Sequence, residues 1–159
     1  MADKAGAAVL IAYATRHGST QEVAEAVAAA FGARGLPAVL APAKKIKDLT
    51  DYRLVVLGAP LYSGKWHRDA HGFLKRNRKA LSTMPVAVFA LGPRSPEAEG
   101  NWPRCREQMD RGLAKHSWLN PVSQELFGGV DPPRSKKERR DQRDWDAIRA
   151  WASGLPDVL

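Results

Sequence analysis

The residues best suited to chemistry are Thr15-Arg16-His17-Gly18-Ser19-Thr20, with hydroxyls at both ends and a glycine where the backbone must bend tightly. They stand between an apolar run, Ala7 to Ala14, and a segment where Val23, Val27, Ala30 and Phe31 recur at helical spacing. Ser19 is expected to open that helix, and Glu22 stands three residues on, the spacing of a capping box. Unbonded N–H groups at a helix start, joined by hydroxyl donors, make a ready site for a phosphate. Protonated His17 would add charge there. The turn is neither GxGxxG nor GxxxxGK followed by Ser or Thr, so dinucleotides and nucleoside triphosphates lose their main support.

A second loop, Leu61-Tyr62-Ser63-Gly64-Lys65-Trp66, follows Ala59-Pro60 and offers two aromatic faces and a glycine for close backbone approach. Flat heteroaromatic ligands are held by stacking and backbone hydrogen bonds, so Tyr62 or Trp66 could flank such a ring; Trp66 could equally pack at the start of the next helix. Leu91-Gly92-Pro93 ends a later apolar run and offers no aromatic. His67 and His71 have the i, i+4 spacing of a chelating pair, but no third ligand accompanies them and nearby cations oppose a divalent ion. No metal is therefore expected. Cys105 lies on an apolar helical stripe with Trp102, Met109 and Leu113, the setting of an inert buried thiol.

The elements that must position these loops alternate strand and helix. Strands are expected at 7–14, 37–40, 53–59 (stopped by Pro60), 85–91 and 121–127. Helices are expected at 19–31, 67–81, 102–116 and 144–154, with one further turn around Ile46 to Leu49. The strongest strands are apolar throughout, the pattern of parallel strands buried on both faces. Five strands with intervening helices and no large insertion argue for one α/β domain, a doubly wound parallel sheet. Ligands of such sheets bind beyond the carboxyl ends of the strands, where strand order reverses.

Composition narrows the class further. The 159 residues suffice for one real core, and 44% hydrophobic content is that of a globular chain. No apolar stretch reaches the length of a membrane span, and the first apolar segment reads as a strand rather than a signal peptide. One cysteine excludes an internal disulfide, and the expected compartment is the cytoplasm. The net charge of +8 is concentrated in two zones. Six Lys/Arg from Lys65 to Lys79 face only Asp69, and six from Arg134 to Arg143 face Glu138 and Asp141. Such zones favour an anionic small-molecule substrate or an acidic redox partner. Nucleic acid is disfavoured, because the second zone has no interleaved aromatic and reads as a solvated loop over 131–143.

The T-x-x-G-x-T turn after the first strand resembles the turn that flavodoxin-like proteins use for the monophosphate of FMN. That resemblance implies a sheet of five parallel strands in the order 2-1-3-4-5 with helices on both faces. It places FMN between the turn at 15–20 and the loop at 59–66, with residues 91–93 closing the other side of the ring. A receiver domain shares the strand order but needs acidic residues where Thr15 and Ala59 stand. Within the group, Ala59-x-x-x-x-Gly64-x-Trp66-His67, Phe73, Leu81-x-x-Met84-Pro85 and Asp144-Trp145 resemble the flavodoxin-type protoporphyrinogen IX dehydrogenases. That similarity covers most of residues 8–91 and the last helix, and implies FMN as cofactor and oxidation of a porphyrinogen with a quinone as acceptor. His67 matches a histidine of that family by position. The family's long insertion before the final helix, suited to a membrane surface, has no counterpart. Residues 129–143 are short and lack Leu, Ile, Phe and Trp, which speaks against peripheral membrane contact. An electron carrier without its own substrate, and a non-enzymatic basic binding module, are the alternatives on the same fold.

Overall fold

A computed structural model describes residues 8–62, 64–92, 101–130 and 141–158, the side chains of 101 and 102 excepted. Five parallel strands form the main sheet: β1 (Ala8–Tyr13), β2 (Ala38–Pro42), β3 (Tyr52–Tyr62), β5 (Val86–Leu91) and β6 (Ser123–Phe127). Their order is β2-β1-β3-β5-β6, the expected 2-1-3-4-5 path. A sixth strand corrects the expected count: β4 (Lys65–Trp66) pairs antiparallel with the end of β3, Leu61 opposite Trp66 and Tyr62 opposite Lys65.

Alternation along the strands explains why both sheet faces are covered. Leu10, Ala12, Val55, Leu57, Val88 and Ala90 enter one core, while Val9, Ile11, Leu54, Val56, Ala87 and Phe89 enter the other. Phe73 and Leu74 of α2 (Arg68–Arg76) and Cys105 and Met109 of α4 (Asn101–Ala114) cover the first face. The second is covered by α1 (Ser19–Ala33) and α5 (Trp145–Gly154) through Val23, Val27, Phe31, Ile148 and Ala152. In the register, Gly58 stands beside Phe89, and a Cβ on Gly58 would lie 1.9 Å from the Phe89 ring. Only glycine fits there.

Three expected boundaries are corrected. Strand β3 passes through Pro60 to Tyr62; the proline's carbonyl accepts from the His67 N–H at 3.1 Å, so its missing donor does not end the strand. The helix expected over 67–81 is divided at Asn77 into α2 and α3 (Arg78–Leu81). The Asn77 side chain donates to the Phe73 carbonyl at 3.0 Å, the local competition that interrupts helices at asparagine. The last strand begins at Ser123 rather than Pro121. Among the described residues no helix is long and apolar enough to cross a membrane. Ala7, the Trp102 side chain and the basic stretch 131–140 lie outside the described residues.

Candidate functional site

The turn after β1 is built by Thr15 and Gly18. Thr15 Oγ1 accepts the Gly18 N–H at 2.8 Å, and Gly18, at φ 91°, is the N-cap of α1. That left-handed conformation is natural only for glycine. The expected capping box does not form: no side chain caps α1, and the Glu22 carboxylate turns to Arg143 instead, at 3.0 Å. The Glu22 N–H reaches Gly18 O at 3.2 Å, while the first N–H groups, those of Ser19, Thr20 and Gln21, have no intrahelical acceptor. Thr20 is fully buried, and among the described residues its Oγ1 has no hydrogen-bond partner. A closed-off hydroxyl left unbonded costs about 1–3 kcal/mol, and a phosphate oxygen is the acceptor such an N-terminus attracts.

The turn meets the second loop through two exposed residues. The Arg16 guanidinium lies 4.1 Å from the Tyr62 ring centroid, and the His17 ring is 6.3 Å from the same ring. Beyond Tyr62, Gly64 takes φ 78° and Lys65 is exposed. Ala59 and Leu61 are buried and Pro60 half-buried, so they shape the loop from beneath. Trp66 is packed in the core at 2% exposure, its indole N–H donating to the Ala59 carbonyl at 3.1 Å and its edge meeting the His71 ring. Of the two aromatics, Tyr62 is the one left accessible. Leu91 is buried, and the Gly92 N–H donates to the Phe127 carbonyl at 2.8 Å. A Cβ on Gly129 would lie 1.9 Å from the Gly92 carbonyl, so this strand end is closed by backbone against backbone. Ser63 and Pro93 lie outside the described residues.

Two relationships were not legible in the spacing. Arg143, read as part of a solvated loop, has a side chain only 8% exposed. Its guanidinium donates to the Ser19 carbonyl at 3.2 Å, pairs with Glu22 and with Asp141 at 2.6 Å, and covers the Trp145 ring at 4.7 Å. The hydrogen bond to Arg143 holds the Asp141 carboxyl below its usual range, and the same bond raises the guanidinium still further above neutrality. Arg143 thereby pins the first turn of α1. The i, i+2 pair Asp141–Arg143 before the helix cap Asp144 was the available signal.

The second is a histidine pair. His71 bonds not toward His67 but to His116, Nδ1 to Nε2 at 2.7 Å, 45 positions away and therefore invisible to any local spacing. His67 caps α2, its Nδ1 accepting the Asp69 N–H at 3.0 Å. Burial lowers the pKa of His67 and of His116, and burial with the neighbouring His116 takes His71 to about 4. Burial raises the Cys105 thiol. Among the described residues no group of three His, Cys, Asp or Glu side chains could hold a metal ion.

Comparison with known proteins agrees with this geometry. A sequence profile described as a flavodoxin domain matches residues 10–140. The chain is 26% identical over 127 residues to protoporphyrinogen IX dehydrogenase [quinone] of Escherichia coli strain K12, covering 79% of this chain and 70% of that one. Its fold is similar to that of oxidised flavodoxin 2 from Bacillus cereus, with a TM-score of 0.66 at 20% identity over 96% of this chain and 100% of that one. It is also similar to the flavodoxin of Streptococcus pneumoniae TIGR4, with a TM-score of 0.63 at 16% identity over 96% of this chain and all (100%) of that one. The chain belongs to the flavodoxin domain family, and that membership implies FMN as its cofactor.

Proposed function

We propose that this protein is an FMN-dependent oxidoreductase, with the FMN phosphate held in the turn Thr15–Thr20 and the ring beside Tyr62. The observation that carries this reading is the buried Thr20 hydroxyl without a partner at the open N-terminus of α1. Bound FMN supplies transfer of one or two electrons; the chain supplies position and electrostatics. The N–H groups of Ser19, Thr20 and Gln21 and the hydroxyls of Ser19 and Thr20 bind the phosphate, while Thr15 holds the turn through Gly18. Because Thr20 is closed to solvent, loading involves a local opening of the turn. Arg143 keeps the helix start fixed through Ser19. Tyr62 and the strand end at Leu91 and Gly92 bound the ring, and the cations Lys65 and Arg68 favour negative charge near it.

For the substrate, the similarity to a protoporphyrinogen IX dehydrogenase supports oxidation of an anionic porphyrinogen, and the basic residues of α2 suit its carboxylates. The likeness to flavodoxin structures supports the second reading, an electron carrier that docks an acidic partner through complementary charge. Anaerobic mixing of the FMN-loaded protein with protoporphyrinogen IX separates them. With the FMN-loaded protein in excess as the only oxidant, the enzyme reading expects loss of the yellow absorbance together with porphyrin fluorescence. Several flavins are reduced for each porphyrin formed, because the full oxidation releases more electrons than one flavin accepts. Reduction by an acidic electron-transfer protein, with no response to the porphyrinogen, selects the carrier. A chain that takes up no FMN overturns both.

A further inference from the structure

Between β4 and α4 lies a recess of about 250 Å3, floored by Trp66 and His71 and rimmed by Lys65, Gln108, Arg111 and Lys115. Its polar content is unusual on three counts. The rim carries three cations, of which, among the described residues, Arg111 alone has an acidic partner, Glu107 at 2.9 Å on the exposed helix surface. Gln108 has a buried Oε1 with no hydrogen-bond partner among the described residues; half a turn of the amide replaces that acceptor with an N–H donor. His71 is anchored on one side by His116 and on another by the Trp66 edge, 5.8 Å between centroids. Among the described residues its Nε2 has no partner, so one ring nitrogen remains for a ligand. A recess rich in donors, with a buried polar atom left unmatched, fits a small anion.

We propose that this recess binds a small oxyanion, a carboxylate or phosphate group, through Lys65, Arg111 and Lys115, with Gln108 and His71 as its hydrogen-bonding partners. The site shares Lys65 with the loop assigned to the flavin ring but does not depend on that assignment, because His71, Gln108, Arg111 and Lys115 take no part in it. His71 makes occupancy visible. The charged and titratable groups acting on it are His116 and Lys115 from the turn after α4 and Lys75 from its own helix, with Lys65 and Arg111 across the recess, and all of them oppose a proton on its ring. A bound anion offsets that repulsion, so the His71 titration midpoint rises on binding. By linkage, affinity rises as the pH falls.

The test follows the His71 and His116 ring resonances by NMR while the purified protein is titrated separately with succinate and with inorganic phosphate, without added FMN. The expected result is saturable shifts with at least one probe and an upward move of the His71 midpoint. Succinate alone identifies a carboxylate site, phosphate alone a phosphate site. The Lys65→Ser, Lys115→Ser double variant, both exposed positions, should lose affinity about tenfold, since each exposed charge contributes modestly. Lys47→Ser with Lys79→Ser, on another basic recess, should change nothing. Unsaturable shifts with both probes, or equal affinity in the Lys65/Lys115 variant, overturn the proposal. FMN uptake, measured separately on the same samples, keeps this outcome apart from the flavin reading.

Discussion

The Arg16 guanidinium stands 4.1 Å above the Tyr62 ring, joining the turn after β1 to the end of β3 across the point where strand order reverses. The contact is worth about 0.5–1 kcal/mol at an exposed site, enough to bias the two loops together without locking them. Tyr62 thus has one face covered by a cation and is the accessible aromatic of its loop. Tyr62→Phe should leave FMN affinity nearly unchanged, and Tyr62→Ala should weaken it up to about tenfold, the range of an aromatic pair. Fluorescence titration of FMN checks this; an unaffected Tyr62→Ala would show that the ring lies elsewhere.

Thr20 should display opposite effects on stability and binding. Its unbonded buried hydroxyl destabilises the flavin-free chain, so Thr20→Val, which keeps the shape, should leave the apo melting temperature unchanged or higher. The same substitution should weaken FMN by roughly 1.5–3 kcal/mol, the range for a hydrogen bond to a charged group. Riboflavin, which lacks the phosphate, should be nearly indifferent. Equal losses for both ligands would assign Thr20 to the fold alone.

Acid should destabilise the folded chain through the histidine pair. The folded pKa of His71, about 4, lies below the ordinary value of 6.5. Between those values the unfolded chain binds a proton that the folded chain refuses, so stability is full above the upper value and falls as the pH drops toward the lower one. The contribution is on the order of 2 kcal/mol once solvent screening is allowed for. Denaturant melts across this interval should show the decline, and His71→Gln with His116→Gln should flatten it. A wild-type stability that rises with acid would contradict the assignment.

The cations bordering the second loop should raise the flavin's two-electron midpoint potential, because reduction adds negative charge near Lys65 and Arg68. Both residues are exposed, and Arg68 is 93% so, hence the effect is modest and largest at low salt. Redox titration of Lys65→Glu with Arg68→Glu should give a lower potential than the wild type. A potential that is unmoved or higher would separate these cations from the flavin.

The apolar strands and the tight turn at Gly18 were legible because each is a local pattern: apolar runs, helical spacing, hydroxyls around a glycine. The strand order followed only from the resemblance that this turn carries. What escaped depends on pairs far apart in the chain. Glu22 had the spacing for a capping box, yet Arg143, 121 positions away, takes its carboxylate. His71 had a local partner in His67 and chose His116. Pro60 would end a strand that needed its N–H, but at that position only its carbonyl is used. Trp66 is compatible with a site or a core by type alone, and the Ala59 carbonyl decides for the core.

The central claim is that the turn Thr15–Thr20 reads the phosphate of FMN. Its most direct test is the affinity of the wild-type chain for FMN beside riboflavin, measured by quenching of flavin fluorescence at one salt concentration. Two or more charge-assisted hydrogen bonds to the phosphate, each about 1.5–3 kcal/mol, predict FMN binding tighter by at least roughly 100-fold. Equal affinities, or no uptake of FMN, would contradict the account.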